Sequence, residues 1–416
     1  MPSKVLPWLL ALSLALPAAA DPDLLELYQW FHRHPELSKQ EKNTSQRLAR
    51  EIQALGLEVH EHIGGHGLMA ILRGQPGGPV VLYRADMDAL PVKEATGLPY
   101  ASEQPGVMHA CGHDIHMTVA VATLQRLARA KDQWKGTVVF VGQPAEEVGS
   151  GAETMIADPR FSQVLQRAGG PPRSALALHV NASLPVGEVG LTPGYVAANV
   201  DSVNIIVHGR GGHGAYPHTA IDPIVIGSEI VMSLQTIVSR KLEPGTRAVI
   251  TVGKFQSGSK HNIIPPTAEL ALTLRSYEDE VRRRLLEEIG RTADHVAAAH
   301  GAPRPEIQHD ADQYTPSLYN DPALVARLRP LLTRQLGPEA VKEIPPTMGG
   351  EDFSEYGRRL KIPAVMFSLG VVAPQRVGSG KPLPGLHSDL FIPDAGPSIE
   401  IGSRLMAECL LEALKD

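Results

Sequence analysis

The chain has 416 residues, 43% of them hydrophobic, with 39 basic and 45 acidic side chains and a formal net charge of −6. That length exceeds what one hydrophobic core usually supports, so a folded globular protein of two domains is expected. Acids and bases are interspersed, which offers no basic stripe to nucleic acid and implies no polyanionic partner.

In chain order, Lys4 precedes an apolar run from Leu6 to Leu16, and Pro17-Ala-Ala-Ala20 supplies small residues before Asp21. This is the order of a secretory signal peptide and is short for a bilayer span. Residues 1–20 are therefore expected to be a leader cleaved near Ala20, and the mature protein to be periplasmic or secreted. No cysteine follows the run, so a lipid anchor is not supported. Two cysteines are too few for a disulfide framework in an exported chain of this size. Cys409 falls on a predicted helix over 398–414 whose Ile399, Met406, Leu410, Leu411 and Leu414 form an inward stripe, where it reads as core filler.

After the leader the pattern predicts helices over 23–32 and 39–55, with a turn at His34-Pro-Glu-Leu-Ser38, then short strands over 57–62, 67–72 and 79–84. A helix over 114–130 and strands over 137–143 and 175–179 follow. Strands alternating with helices imply an α/β domain with a mostly parallel sheet covered on both faces, its ligands gathered beyond the strands' carboxyl ends. From 199 to 310 the order becomes strand (202–208), helix (222–241), two strands (247–255 and 269–276), a long helix (278–300) and a last strand (304–309). That β-α-β-β-α-β order is a ferredoxin-like sandwich. It reads as an insertion, because residues 317 onward resume helix and strand; the first domain is thus 21–198 with 311–416, and the second 199–310.

The densest chemistry lies between Val107 and Met117, where His109, Cys111, His113, Asp114 and His116 fall within eight positions. Cys111 and His113 form a Cys-x-His pair able to share a divalent ion at ligand distances of roughly 2.0–2.3 Å. Asp114 opens an apolar-periodic segment, Ile115, Val119, Leu124 and Leu127, which places the cluster at a loop-to-helix junction. Asp86 and Asp88 follow a strand and, two apart on an extended chain, face one side, where one can orient a metal-bound histidine; the plainer alternative is a solvated pair before Pro91. Glu146 and Glu147 follow the strand ending at Gln143, and adjacent side chains diverge, so one can bind metal while the other reaches the water beside it. His179 is the one polar residue in an apolar run, which more often marks a satisfied core histidine. His387 is no more specific alone.

Read together, Arg84-Ala-Asp-Met-Asp-Ala-Leu-Pro91, Met108-His-Ala-Cys-Gly-His-Asp114, Gln143-Pro-Ala-Glu-Glu147, Leu178-His-Val180, Gly211-Gly-His-Gly-Ala-Tyr-Pro-His218, Gly350-Glu-Asp-Phe353 and Leu386-His-Ser388 stand in a distinctive order. From about His34 to its C-terminus the chain resembles the hippurate hydrolase branch of the carboxypeptidase G and aminoacylase metallopeptidases, which also holds plant hydrolases of indole-acetyl amino acids. The resemblance implies a catalytic metal-binding domain and an inserted lid and dimerisation domain. It implies Cys111, His113, Glu147, His179 and His387 as ligands of one or two divalent ions, Zn, Mn, Co or Ni, with Glu146 as general base and Asp88 orienting a ligand. It also implies that His213, which in dimeric relatives can come from the partner subunit, polarises the scissile carbonyl, and that Asn262 and Arg275 grip a substrate carboxylate, a task suited to the guanidinium fork. The expected activity is hydrolysis of N-acyl or N-aroyl amino acids by a homodimer. A dipeptidase or carboxypeptidase with the same machinery is the alternative, followed by a non-catalytic metal-binding envelope protein. Relatives in the wider family carry His-x-Asp where this chain has Asp86-x-Asp88 and lack the cysteine.

Overall fold

A computed structural model describes residues 22–309 and 314–415. The expected leader lies outside the described residues, as does Asp310, the expected end of the insertion. No helix among the described residues is long and apolar enough to cross a membrane.

The larger sheet has eight strands, in the order Glu58–Ile63, Gly67–Arg73, Lys135–Gln143, Gln75–Asp86, Ser174–Pro185, Ala364–Val372, Val189–Gly190 and Val341–Lys342. Its central four strands run parallel, and an antiparallel hairpin made by the first two completes one edge. Successive side chains of a strand point to opposite faces. Val81 and Tyr83 accordingly enter the core under helices Pro22–Arg33, Lys42–Ala54, His113–Arg129 and Ala395–Ala413, while Val80 and Leu82 enter the core on the other face. Cys409 is fully buried in the first of these cores.

Helix His113–Arg129 is the strut of the first face. Its N-cap, Gly112, has φ 80, and a Cβ there would meet Val180 Cγ2 at 2.5 Å. Only glycine lets the Cys111–His113 segment lie this close to the strand that carries His179. At the same end Asp114 accepts a hydrogen bond from His32 Nδ1 at 2.7 Å, tying the strut to Pro22–Arg33.

The second sheet has four antiparallel strands, in the order Ala248–Ser257, Thr267–Ser276, Asp201–His208 and Glu306–His309. Helices Pro223–Arg240 and Asp279–Ala299 cover it, burying Ile226, Ile230, Leu234, Leu285 and Ile289 against Val203, Ile205 and Leu270 in a core of their own. Chain order is β-α-β-β-α-β, as the periodicity predicted. The ion pair Arg358–Asp279 joins it to the larger unit, and Arg282–Asp201 ties its long helix to its first strand.

Several boundaries differ from expectation. The strand predicted over 175–179 continues to Pro185, so His179 lies inside a strand rather than at its end. Residues 181–185 look like a loop because 181–183 are polar or small and Pro185 follows, but parallel pairing of Val180 with Leu369 and Asn181 with Gly370 extends the ladder. The strand predicted over 79–84 runs from Gln75 to Asp86. The second helix begins at Lys42, not Lys39, because Lys39 is left-handed at φ 68. Glu36 then accepts the N–H of Thr44 at 2.8 Å, serving as the cap of the helix's first turn.

Candidate metal centre

The centre forms where five separate segments meet at the carboxyl ends of the parallel strands. Cys111 comes from the turn into the strut helix and His113 from its first residue, Asp86 from the end of the strand beside it and Asp88 from just beyond, Glu146 and Glu147 from the turn after Lys135–Gln143, His179 from strand Ser174–Pro185 and His387 from a late loop. Ligand atoms of Cys111, His113 and Glu147 lie within 4.8 Å of one another, as do those of Asp86, His113, His116 and His179. Cys111 Sγ is 3.5 Å from His179 Nε2, and His387 Nε2 is 3.6 Å from Glu147 Oε2. Residue 387 has φ 65, and its N–H donates to the carbonyl of Ala110 at 2.9 Å, fastening the late loop beside the cysteine.

Tautomers follow from the partners. His113 Nδ1 donates to the main-chain carbonyl of Asp88 at 2.8 Å and His179 Nδ1 to that of Val180 at 2.8 Å, so each Nε2 carries its lone pair toward the centre. His116 is the opposite case. Its Nε2 accepts the Val180 N–H at 2.9 Å and its Nδ1 donates to Asp86 at 2.5 Å, so both nitrogens are occupied. Burial pushes His116 down to about 4 against the pull of Asp86, and it stays neutral.

The donor set fits a cation. Among the described residues, His113 Nε2 and Glu147 Oε1 are buried and have no hydrogen-bond partner, a costly state for two polar atoms unless an ion lies between them. Burial and the carboxylates of Glu147 and Glu146 push the Cys111 thiol well above its usual range, so a thiolate here needs positive charge beside it. Burial opposes a charged His113, yet Asp86, Asp88 and Glu147 outweigh it and raise the group to about 10. A divalent ion bound at His113 Nε2 would have to displace that proton.

Asp88 works from behind. Its Oδ2 accepts from Ser38 Oγ at 2.6 Å and from the Glu147 N–H at 3.0 Å, while its Oδ1 stands 3.4 Å from His113 Nδ1. Glu146 turns the other way from Glu147, toward Glu351 and Asp352, with ligand atoms of the three within 4.8 Å.

Residues 82–388 match the profile of peptidase family M20/M25/M40. The chain belongs to this family. It is a metal-dependent hydrolase of amides. Among M20 relatives, an N-acetylcysteine deacetylase of Bacillus subtilis is 34% identical over 348 residues, covering 83% of this chain and 88% of the relative. Thermostable carboxypeptidase 1 of Saccharolobus solfataricus is 35% identical over 350 residues, 83% and 85% of the two chains. Among solved structures, the B. subtilis YxeP protein, described as a dinuclear metal-binding peptidase of the M20 family, superposes with TM-score 0.79 at 31% identity, covering 94% of this chain and 98% of that one.

In this M20 chain a cavity of about 870 Å³ opens above the centre, lined by Cys111, Glu146, Glu147, His179 and His387 and, from the second sheet, Arg275. His213 and Asn262 do not line it. They lie together and exposed at the edge of the inserted module, where His213 pairs with Ile263 and the Gly214 N–H donates to the Asn262 carbonyl at 2.8 Å.

Sequence reasoning assigned no role to His116 or Arg84. His116 is legible in retrospect, since it follows His113 by three and so shares its helix face. Arg84 is fully buried and donates to Gln143, Asp86, Glu351 and Asp352 at 2.6–3.0 Å. The sole signal for Arg84 was an arginine in an otherwise apolar strand.

Proposed function

We propose that this M20 hydrolase is an exported amidohydrolase cleaving N-acyl and N-aroyl amino acids, hippurate-like molecules included, to a carboxylic acid and a free amino acid. The observation that carries the reading is Arg275. Its guanidinium lines the same cavity as the metal donors and has no hydrogen-bonded or ion-paired side chain among the described residues. Burial makes that charge costly, and a substrate carboxylate offsets it through the guanidinium fork. The amino acid is therefore the leaving side.

A divalent ion held by Cys111, His113, Glu147, His179 and His387 supplies, when bound, a Lewis acid for the amide carbonyl and a water whose pKa is lowered toward about 7. Glu146 takes the proton from the attacking water and returns it to the departing nitrogen as the C–N bond breaks. Asp88 holds His113, and His213 polarises the carbonyl. In this reading His213 and Asn262 come from a second copy, because within one chain they stand off the cavity. Exposed Val225, Met232, Phe255 and Ile263 on the inserted module provide the apolar face for a homodimer. A single monomeric species in sedimentation, with full activity, overturns the shared site. Export rests on the residue order from Lys4 to Ala20.

The carboxypeptidase among the relatives favours a second reading, a dipeptidase or carboxypeptidase that uses the same residues. Hippurate, N-acetyl amino acids and dipeptides assayed side by side separate the two. Within that panel, Arg275→Met is expected to lower kcat/KM by about 10- to 100-fold, the worth of one or two hydrogen bonds to a charged group. Substrates whose terminal carboxylate is amidated should show no such loss. An equal loss on the amides removes Arg275 from the substrate carboxylate.

A further inference from the structure

The turn Gln143-Pro-Ala-Glu-Glu147 has to send two adjacent glutamates in different directions, one to the donor set and one to the reacting water. It does so through Ala145, which has φ 55, in the left-handed region that residues other than glycine enter at a cost. Such a conformation persists only where its surroundings over-determine it. The carbonyl of Ala145 accepts the N–H groups of Ser150 and Gly151 at 3.3 and 3.1 Å, which closes the turn on one side. Its own N–H, on the other side, donates to Glu41 Oε1 at 2.8 Å.

Glu41 is fully buried and immediately precedes the helix Lys42–Ala54, so it is rooted in a regular element 104 positions from Ala145. The same Oε1 accepts the N–H of Lys39 at 2.8 Å, and Lys39 is itself left-handed at φ 68. One oxygen thus fixes two left-handed residues on two different segments. A neighbouring contact repeats the connection: Ser38 donates to Asp88 Oδ2, which also takes the N–H of Glu147. Leu37 bridges Ala89, and the Ala89 N–H donates to the Glu36 carbonyl at 2.8 Å. The segment from Glu36 to Glu41 is laced to both acidic stretches of the centre.

We propose that Glu41 is a positioning residue for hydrolysis: its acceptor oxygen locks the left-handed turn at Ala145 and so aims Glu146 and Glu147 in their separate directions. This rests on the reading of Glu146 as base and Glu147 as ligand. What the turn needs is an acceptor at the right reach, not a charge. Glutamine keeps that acceptor; aspartate keeps the charge but draws it back by one methylene.

The test compares Glu41→Asp with Glu41→Gln in the full chain, reading kcat and KM together with metal retention against a chelator. Glu41→Asp is expected to lower kcat by roughly 10- to 100-fold, the scale of a misplacement of about 1 Å, with KM little changed and metal lost more readily. Glu41→Gln is expected to recover most of both losses. Ala145→Gly in the Glu41→Asp chain is expected to recover part of them, because glycine holds that φ unaided. Glu41→Gln as defective as Glu41→Asp, or Glu41→Asp with wild-type kcat and metal retention, overturns the proposal. Glu146→Gln measured alongside keeps the two readings apart. An active Glu146→Gln overturns the base assignment, whereas an inactive Glu146→Gln beside a wild-type Glu41→Asp overturns the positioning role alone.

Discussion

Replacing Glu146 by Gln is expected to lower kcat by roughly 10²- to 10⁴-fold, the usual worth of a general base, while bound metal stays at the wild-type level. The two readouts part because the glutamates of the turn diverge: Glu147 lies with Cys111 and His113, and Glu146 with Glu351 and Asp352. Glutamine preserves the shape and removes only the ability to take a proton. Burial and the charges of Glu351, Glu147 and Asp352 hold the Glu146 carboxyl well above its ordinary range, with Arg84 opposing. A carboxyl so placed takes up a proton from an acidified water far more readily than a solvated glutamate does. Metal analysis beside steady-state kinetics on an N-acyl amino acid checks the result. Full turnover by Glu146→Gln would remove Glu146 from the mechanism.

Arg84→Met is expected to destabilise the protein by about 3–5 kcal/mol, the cost of stripping one partner from a buried charge network. Arg84 is the hub of that network. One guanidinium serves Asp86, which orients His116, and Glu351 and Asp352, which lie beside Glu146. Asp352 Oδ2 also accepts the N–H of Ala152, at the start of the helix that follows the Glu146–Glu147 turn. Burial raises Asp352 to about 7 even with Arg84 beside it, so removing the arginine leaves acids that must either take up protons or move apart. Arg84→Lys should restore little, since a point charge on a flexible stem does not span four acceptors. The urea midpoint of the metal-free chain reads the effect directly. A loss below about 1 kcal/mol would mean that the cluster neutralises itself and that Arg84 adds little.

Both experiments address parts of the centre that differ in how plainly the chain announces them. The β-α-β-β-α-β order of the insertion, the strut helix behind Cys111 and the strands ahead of Asp86 and Glu146 are local patterns. Apolar residues at a period of 2 or 3.6 bury one face wherever the chain goes, and the structure places these elements within a few residues of expectation. Donor types were equally legible. A Cys-x-His pair, a doubled glutamate after a strand and histidines in apolar or glycine-flanked settings are visible without coordinates.

Convergence was not legible in the same way. His387 reaches Glu147, and Arg84 reaches Glu351 across 267 positions, through contacts that no periodicity encodes. His116 and His113 stand three apart on one helix, yet one has both nitrogens occupied and the other an empty Nε2, a difference set by which carboxylates, carbonyls and amides the neighbouring segments present. Arg275 enters the cavity while His213 and Asn262, on the same module, stand outside it. The amino-acid order alone therefore settled the elements and the kinds of ligand atom, because burial of an apolar face is a local demand. Packing between distant segments settled which candidate donors come together, which polar atoms are satisfied and which are left unpaired, because hydrogen-bond pairing and charge balance are properties of the assembled interior.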